Sequence, residues 1–270
     1  MLGVETETAN KTRRCQRAEA YLQAGRNQSA INIYLQLVAE YPADESLLLA
    51  LAWAYHDDGC PEQAIRCFEQ LFDRELSRKV FSGFAYDELV RLYKASGQND
   101  RLVSVCARAS AAQPHDTALL GELSAAYLRA DRTEEAREVC QRILALDRSD
   151  TSACCLLGEV HLAAGKFAAA EKAYRRAVQI DPEAAGSFLS RLAASYDRLG
   201  KHRREEKILR QCLKLMPLAS LNHCRLGDCL IKQGRFAPAA AAYEKAIALS
   251  PASSDAFHHR WQNSLNAAPE

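Results

Sequence analysis

Hydrophobic positions recur along the chain with a period close to 34 residues. In most periods an apolar residue, a leucine, a small residue and a large residue follow one another at i, i+3, i+4 and i+7. This spacing places all four on one face of an amphipathic helix. The large residues that close the stripes are Tyr21, Tyr55, Tyr93, Tyr127, His161, Tyr196 and Leu230. The small residues are Ala18, Ala52, Val90, Ser124, Gly158, Ala193 and Gly227.

Each stripe is followed by residues that end one helix and begin another. A residue able to adopt positive φ comes four positions after the large residue, and closes the first helix. These residues are Gly25, Gly59, Gly97, Asp131, Gly165, Gly200 and Gly234. A second helix follows, and Pro42, Pro114, Pro182, Pro217 and Pro251 end five of these second helices. Asp44, Asp116 and Asp150 are expected to cap the helices that come next.

This pattern resembles the tetratricopeptide repeat (TPR), most closely over residues 154–182 and 225–251. The resemblance implies an all-α fold, a right-handed α-α superhelix built as a TPR solenoid of about seven helix-turn-helix repeats plus a C-terminal capping helix. The predicted organisation is an N-terminal tail over 1–10, a TPR array over 11–253, and a capping helix and tail over 254–270. The repeats lie near 11–44, 45–78, 83–116, 117–150, 151–184, 186–219 and 220–253.

Three local features depart from a uniform array. Glu205 stands where helix packing requires alanine, so its carboxylate is expected to reach solvent or a base. Four extra residues, 79–82, form either a longer loop or a hinge that separates two groups of repeats. Ser254 and Asp255 are expected to cap a last helix that covers the final apolar face. Its apolar residues would be Phe257, Trp261 and Leu265, and its solvent side would carry His258 and His259.

Composition narrows the classes of function. Lys and Arg total 35 against 34 for Asp and Glu, so no basic excess favours nucleic acid. The run from Lys201 to Arg204 is basic, and we interpret it as a solvated helix face, with an acidic lipid or nucleic acid as the alternative. We expect a cytoplasmic protein, since residues 1–15 lack the apolar stretch of a signal peptide and no run is long enough to span a membrane.

The ten cysteines do not predict a metal site. They form no C-x-x-C pair and no Cys/His group with zinc-ligand spacing. Reduced thiols that pack as small core residues are the simpler interpretation. We therefore predict no metal and no cofactor.

The resemblance also implies a binding surface, because the first helices of TPR units line a concave groove that binds peptides or helices of other proteins. The groove positions predicted to bind a partner are Leu49, Trp53, His56, Phe84, Asp87, Arg91, Lys94, Ala125, Leu128, Arg129 and Glu159. Further groove positions in the later repeats include Cys155, Cys224 and Asp228. Trp53 and Phe84 would anchor an apolar group, unless they pack against their own neighbours. Arg91, Lys94 and Arg129 would hold carboxylates.

The predicted function is that of a protein–protein interaction scaffold or adaptor. The alternative is a holding chaperone or accessory subunit for a nascent or secreted client protein. An enzyme is not expected, because the repeats occupy most of the chain and no phosphate-binding loop or H-E-x-x-H pattern occurs. The apolar faces of the end repeats would also allow homo-oligomerisation.

Overall fold

The computed structural model describes residues 2–79 and 81–267, which form fifteen α-helices, one 3₁₀ turn and no β-strand. The chain divides into two compact units, residues 1–130 and 131–270. The first unit contains α1 (Leu2–Gln23), α2 (Asn27–Glu40), α3 (Glu45–Asp57), α4 (Pro61–Ser77), α5 (Phe84–Ser96), α6 (Asn99–Ala112) and α7 (Thr117–Arg129).

The second unit contains the remaining helices and the 3₁₀ turn. They are α8 (Thr133–Leu146), α9 (Thr151–Ala163), α10 (Phe167–Ile180), α11 (Ala185–Arg198), α12 (His202–Leu215), α13 (Ser220–Ile231), α14 (Phe236–Leu249), the turn Pro251–Ser253 and α15 (Ser254–Asn266). Within each unit every helix packs against the next one along the chain. Both units are therefore stacks of antiparallel helices, as the repeat pattern predicts.

The beginning of the chain differs from the prediction. Residues 1–10 were expected to be a tail, but α1 begins at Leu2 and continues without interruption to Gln23. Residues 4–10 contain no proline or glycine that would end a helix. The predicted tail is therefore wrong for residues 2–10, and Met1 lies outside the described residues.

The predicted helix ends are confirmed. All six glycines of the stop positions have positive φ between 63° and 72°, and Asp131 takes their place with φ 57°. The side chains of Asp44, Asp116 and Asp150 each accept a backbone N–H bond from the first turn of the following helix. Each proline-terminated second helix ends two residues before its proline, as α10 does at Ile180 before Pro182.

Small residues of the first helices allow close packing against the second helices. Gly158 on α9 lies under the ring of Tyr174 on α10, and Gly227 on α13 lies under Tyr243 on α14. Both tyrosine rings are fully buried. An added Cβ at either glycine would come within 2.6 Å of the ring, which is closer than any real contact. The helix pair can therefore approach only because a hydrogen occupies this position.

The four extra residues between α4 and α5 are tied to both helices. The Phe81 ring packs 6.2 Å from Phe72 and 5.8 Å from Tyr86. Ser82 donates from its Oγ to Glu75 Oε1 at 2.6 Å. The division between the two units falls after Ala130 and not at this insertion. These contacts favour a packed loop over a hinge, and Val80 lies outside the described residues.

The last helix covers α13 and α14 with part of the predicted face. Phe257 is buried, and the Trp261 ring stacks on Tyr243 at 5.3 Å. Leu265 differs from the prediction because it is 41% exposed. The predicted cap at Ser254 and Asp255 is also wrong, since the 3₁₀ turn precedes α15 and no side chain caps its first residues.

Replacing Gly158 with alanine tests the close helix approach. Overpacking against a rigid buried ring costs about 1–3 kcal/mol, against a gain of about 1 kcal/mol from removing glycine from a helix. We expect Gly158→Ala to lower the free energy of unfolding by up to about 2 kcal/mol, measured by urea denaturation followed by circular dichroism.

The matched control is Gly186→Ala on α11. There the added Cβ meets the flexible end of Met216, which can rotate away. We expect this variant to unfold at nearly the wild-type urea concentration. Equal destabilisation of the two variants would contradict the account.

Candidate functional site

Residues of α3, α4 and α5 form an aromatic cluster in the first unit. The cluster consists of Trp53, His56, Phe68 and Phe84. The Trp53 ring lies 5.5 Å from His56, 5.7 Å from Phe68 and 6.5 Å from Phe84, each in an edge-to-face arrangement. Edge-to-face contacts of this kind stabilise a pair beyond the area that it buries. The repeat spacing thus brings Trp53, His56 and Phe84 together, as the groove assignment requires.

The cluster has a buried base and an exposed edge. Phe68 on α4 is fully buried, Trp53 is half-buried, and Phe84 is 45% exposed. Leu49, one turn before Trp53 on α3, is also half-buried. Trp53 therefore packs partly against its own neighbours, as the alternative interpretation held, while Phe84 leaves a large apolar surface in solvent.

The predicted basic stretch already has carboxylate partners within the chain. Arg91 Nε donates to Glu88 Oε2 at 2.8 Å, and Lys94 Nζ donates to Glu122 Oε2 at 2.6 Å. Burial raises the pKa of Asp87, and the nearby carboxylates of Glu88 and Glu122 raise it further. Arg91 and Lys94 are therefore already paired with carboxylates of the chain, which weakens the expectation that they hold an acidic partner.

The predicted residues of α7 complete the surface in the first unit. Ala125 and Leu128 are half-buried, and the exposed Arg129 donates to the Lys94 carbonyl at 3.4 Å. We call the ten predicted positions on α3, α5 and α7 the first-helix surface: Leu49, Trp53, His56, Phe84, Asp87, Arg91, Lys94, Ala125, Leu128 and Arg129. Glu159 lies in the second unit, where it pairs with Arg191 at 2.7 Å.

Three groove positions assigned to the later repeats, Cys155, Cys224 and Asp228, are buried, which corrects the prediction for these three. Cys155 and Cys224 are almost inaccessible, and burial raises the pKa of each thiol to about 11. Such thiols remain protonated near neutral pH and make poor nucleophiles. Asp228 on α13 accepts from Ser264 Oγ at 2.6 Å, from Arg260 Nε at 2.8 Å and from the Tyr243 hydroxyl. The Asp228 carboxylate thus joins α13 to both α14 and α15.

Spacing along the sequence did not reveal one group of polar side chains. His202 and Glu205 on α12 meet Cys229 on α13, with one donor atom of each residue within 4.8 Å of the others. Burial raises the pKa of Glu205 and that of Cys229. Glu205 is 5% exposed, so it does not reach solvent, but the predicted base is present in His202, whose Nδ1 lies 3.2 Å from Glu205 Oε2. The one feature of the sequence that pointed to this group was Glu205, a charged residue at a position where helix packing requires alanine.

The basic run at the start of α12 is paired along the helix surface. Arg204 donates to Glu171 Oε1 at 2.7 Å, and its guanidinium lies 5.0 Å from the centre of the Phe167 ring. Arg210 pairs with Glu206 at 2.9 Å. These contacts favour the interpretation as a solvated helix face.

Comparison with known proteins identifies the family. The family model of the cilia and flagella-associated protein 70 C-terminal domain, a TPR domain, matches residues 44–262. The chain belongs to this family. The model of the bacterial transcriptional activator domain matches a shorter stretch, residues 6–80. TPR proteins generally mediate protein–protein interactions, and their repeats are typically non-enzymatic scaffolds.

Two individual proteins are similar to this chain, one in sequence over a short stretch and the other in fold. Small glutamine-rich tetratricopeptide repeat-containing protein 2 of Mycosarcoma maydis is 31% identical over 85 residues, which cover 32% of this chain and 24% of that protein. The chain therefore matches about a quarter of that relative's length. A TPR protein from Parabacteroides merdae has the same fold, with a TM-score of 0.55, 14% identity, and coverage of 95% of this chain and 99% of that one.

Among residues 2–79 and 81–267, no helix combines the length and the apolar character that crossing a bilayer requires.

The contacts of Asp228 predict that it secures the last helix. We expect Asp228→Ala to lower the free energy of unfolding by about 2–3 kcal/mol, because it leaves a buried tyrosine hydroxyl and an arginine without their acceptor. Thermal denaturation measures the change. Asp255→Ala, which removes an exposed carboxylate from α15, is the control and should leave the melting temperature unchanged. A small effect at both positions would contradict this role for Asp228.

Proposed function

We propose that this chain is a protein–protein interaction scaffold or adaptor that acts in the cytoplasm. Its first-helix surface binds a peptide or a helix of another protein. The observation that carries the proposal is the aromatic cluster, in which the exposed Phe84 rests on Trp53 and on the fully buried Phe68.

An exposed aromatic ring that packs against more deeply buried rings is well suited to binding a partner. Side chains that are already fixed by their neighbours lose little conformational freedom when a partner docks. Large aromatic residues at such positions often supply most of the affinity of an interface. A partner would therefore place an apolar side chain against the Phe84 and Trp53 rings.

The surrounding charges favour an amphipathic partner over a strongly acidic one. Arg91 and Lys94 would have to leave Glu88 and Glu122 before binding a carboxylate of the partner. These pairs are partly exposed, so each exchange would gain little. The proposal thus predicts an affinity dominated by apolar contact, with a weak dependence on salt. The family name makes ciliary and flagellar proteins the first candidates to examine.

Truncating the exposed aromatic side chains tests the proposal. A partner is enriched from native lysate with the wild-type chain, and its affinity for purified variants is measured by isothermal titration calorimetry. We expect Phe84→Ala and Trp53→Ala to weaken binding about 10-fold or more. Arg91→Glu should change the affinity much less, because Arg91 already pairs with Glu88.

Phe236→Ala provides a matched control. Phe236 is also the first residue of a helix and is 50% exposed, but it lies on α14 of the second unit. Its replacement should leave the affinity unchanged. Equal binding by the Phe84 and Phe236 variants would contradict the surface assignment. Weak binding of several unfolded chains, with suppression of their aggregation, would instead favour a holding chaperone.

A further inference from the structure

Three side chains with different donor atoms converge between the sixth and seventh helix pairs. His202 and Glu205 are three residues apart on α12, which places them on the same helix face. Cys229 reaches them from α13. The imidazole nitrogen, a carboxylate oxygen and the thiol sulfur all lie within 4.8 Å of one another. A nitrogen, an oxygen and a sulfur donor thus lie close together in one group.

Two of the three side chains are buried between the helices, and the third is half-buried. Glu205 is 5% exposed and Cys229 is fully buried, while His202 is half-buried. Glu205 occupies the position at which α2, α4, α8, α10 and α14 have alanine: Ala30, Ala64, Ala136, Ala170 and Ala239. All five alanines are completely buried. A carboxylate in such a place is costly unless a cation or a donor compensates it.

The donor set matches the preferences of one ion in particular. Zn²⁺ binds cysteine sulfur, histidine nitrogen and glutamate oxygen at about 2.0–2.3 Å. One thiolate and one carboxylate would neutralise its two positive charges. Donors around a tetrahedral ion lie about 3.4 Å apart, so the three groups would have to draw in by roughly 1 Å. His202 and Glu205 are already at 3.2 Å.

The surroundings provide a second layer of contacts and border on solvent. Gln233 Nε2 lies 3.4 Å from Cys229 Sγ, where an amide donor would stabilise a thiolate ligand. Asp197 Oδ1 lies 4.0 Å from His202 Nδ1 and also pairs with Lys232, so a carboxylate borders the group at its most exposed side chain. A surface depression of about 380 Å³ is bordered by His202 and Gln233, so these two residues adjoin solvent.

We propose that His202, Glu205 and Cys229 bind one zinc ion, which holds α12 and α13 together. This inference is independent of the proposed partner surface, because all three residues lie in the second unit. The ion stabilises the last repeats by crosslinking two adjacent helix pairs.

Zinc titration of the full-length chain tests the proposal. The reduced, chelator-treated protein is titrated with Zn²⁺, and its melting temperature is followed. We expect one zinc per chain and a rise in melting temperature on the order of 5 °C at zinc concentrations about 100-fold above the dissociation constant. Co²⁺ in place of Zn²⁺ should produce the near-ultraviolet absorption of a metal–thiolate bond.

Two variants separate binding from folding. Glu205→Ala installs the residue found at the equivalent positions, so it should fold at least as well as the wild type without metal, yet lose the zinc-induced rise. Cys229→Ser should lose the metal–thiolate absorption. The double variant His258→Ala/His259→Ala removes an exposed histidine pair on α15 and should keep the full response.

Three results would overturn the proposal. The first is the absence of stoichiometric zinc in the wild type. The second is a zinc response that persists in Glu205→Ala. The third is a response that disappears in the His258→Ala/His259→Ala variant, which would assign the ion to α15.

Discussion

The close approach of the two helices in each pair is the constraint on which the rest of the structure depends. A small residue on the first helix receives a large buried side chain of the second, as Gly158 receives Tyr174. Because a helix of this length is only marginally stable alone, the pairs gain their stability from this packing. The packing also fixes which helix face remains in solvent. It thereby sets the positions of Trp53 and Phe84.

The same constraint explains why the fold could be predicted so fully. Periodic small and large positions specify helix pairs, and residues that tolerate positive φ specify where the first helices end. Asp131 shows that the signal is the ability to adopt positive φ and not glycine itself, because Asp131 replaces glycine and adopts the same conformation. The errors occur where no periodic signal exists. Residues 4–10 lack both the apolar stripe and a glycine or proline that would end a helix, and the start of α15 follows a 3₁₀ turn.

The candidate surfaces were less predictable, because exposure and pairing depend on contacts between helices. Equivalent positions in different repeats have different environments. Leu49 is half-buried, whereas Cys155 is inaccessible. Trp53 is half-buried, whereas Asp228 is buried and held by α15. The sequence also cannot show that Lys94 pairs with Glu122. The group of His202, Glu205 and Cys229 was missed for a related reason. Its members come from two helices, and only the unusual Glu205 marked the place.

The most direct measurement of the central claim is site-specific photo-crosslinking. A photoreactive phenylalanine analogue is placed at position 84 in one sample and at position 236 in another, since the two native side chains have similar exposure and similar places in their helices. We expect position 84 to crosslink to a single partner segment with an apolar side chain, and position 236 to give no such crosslink. Crosslinks from position 236 alone, or equal crosslinks from both positions, would contradict this expectation.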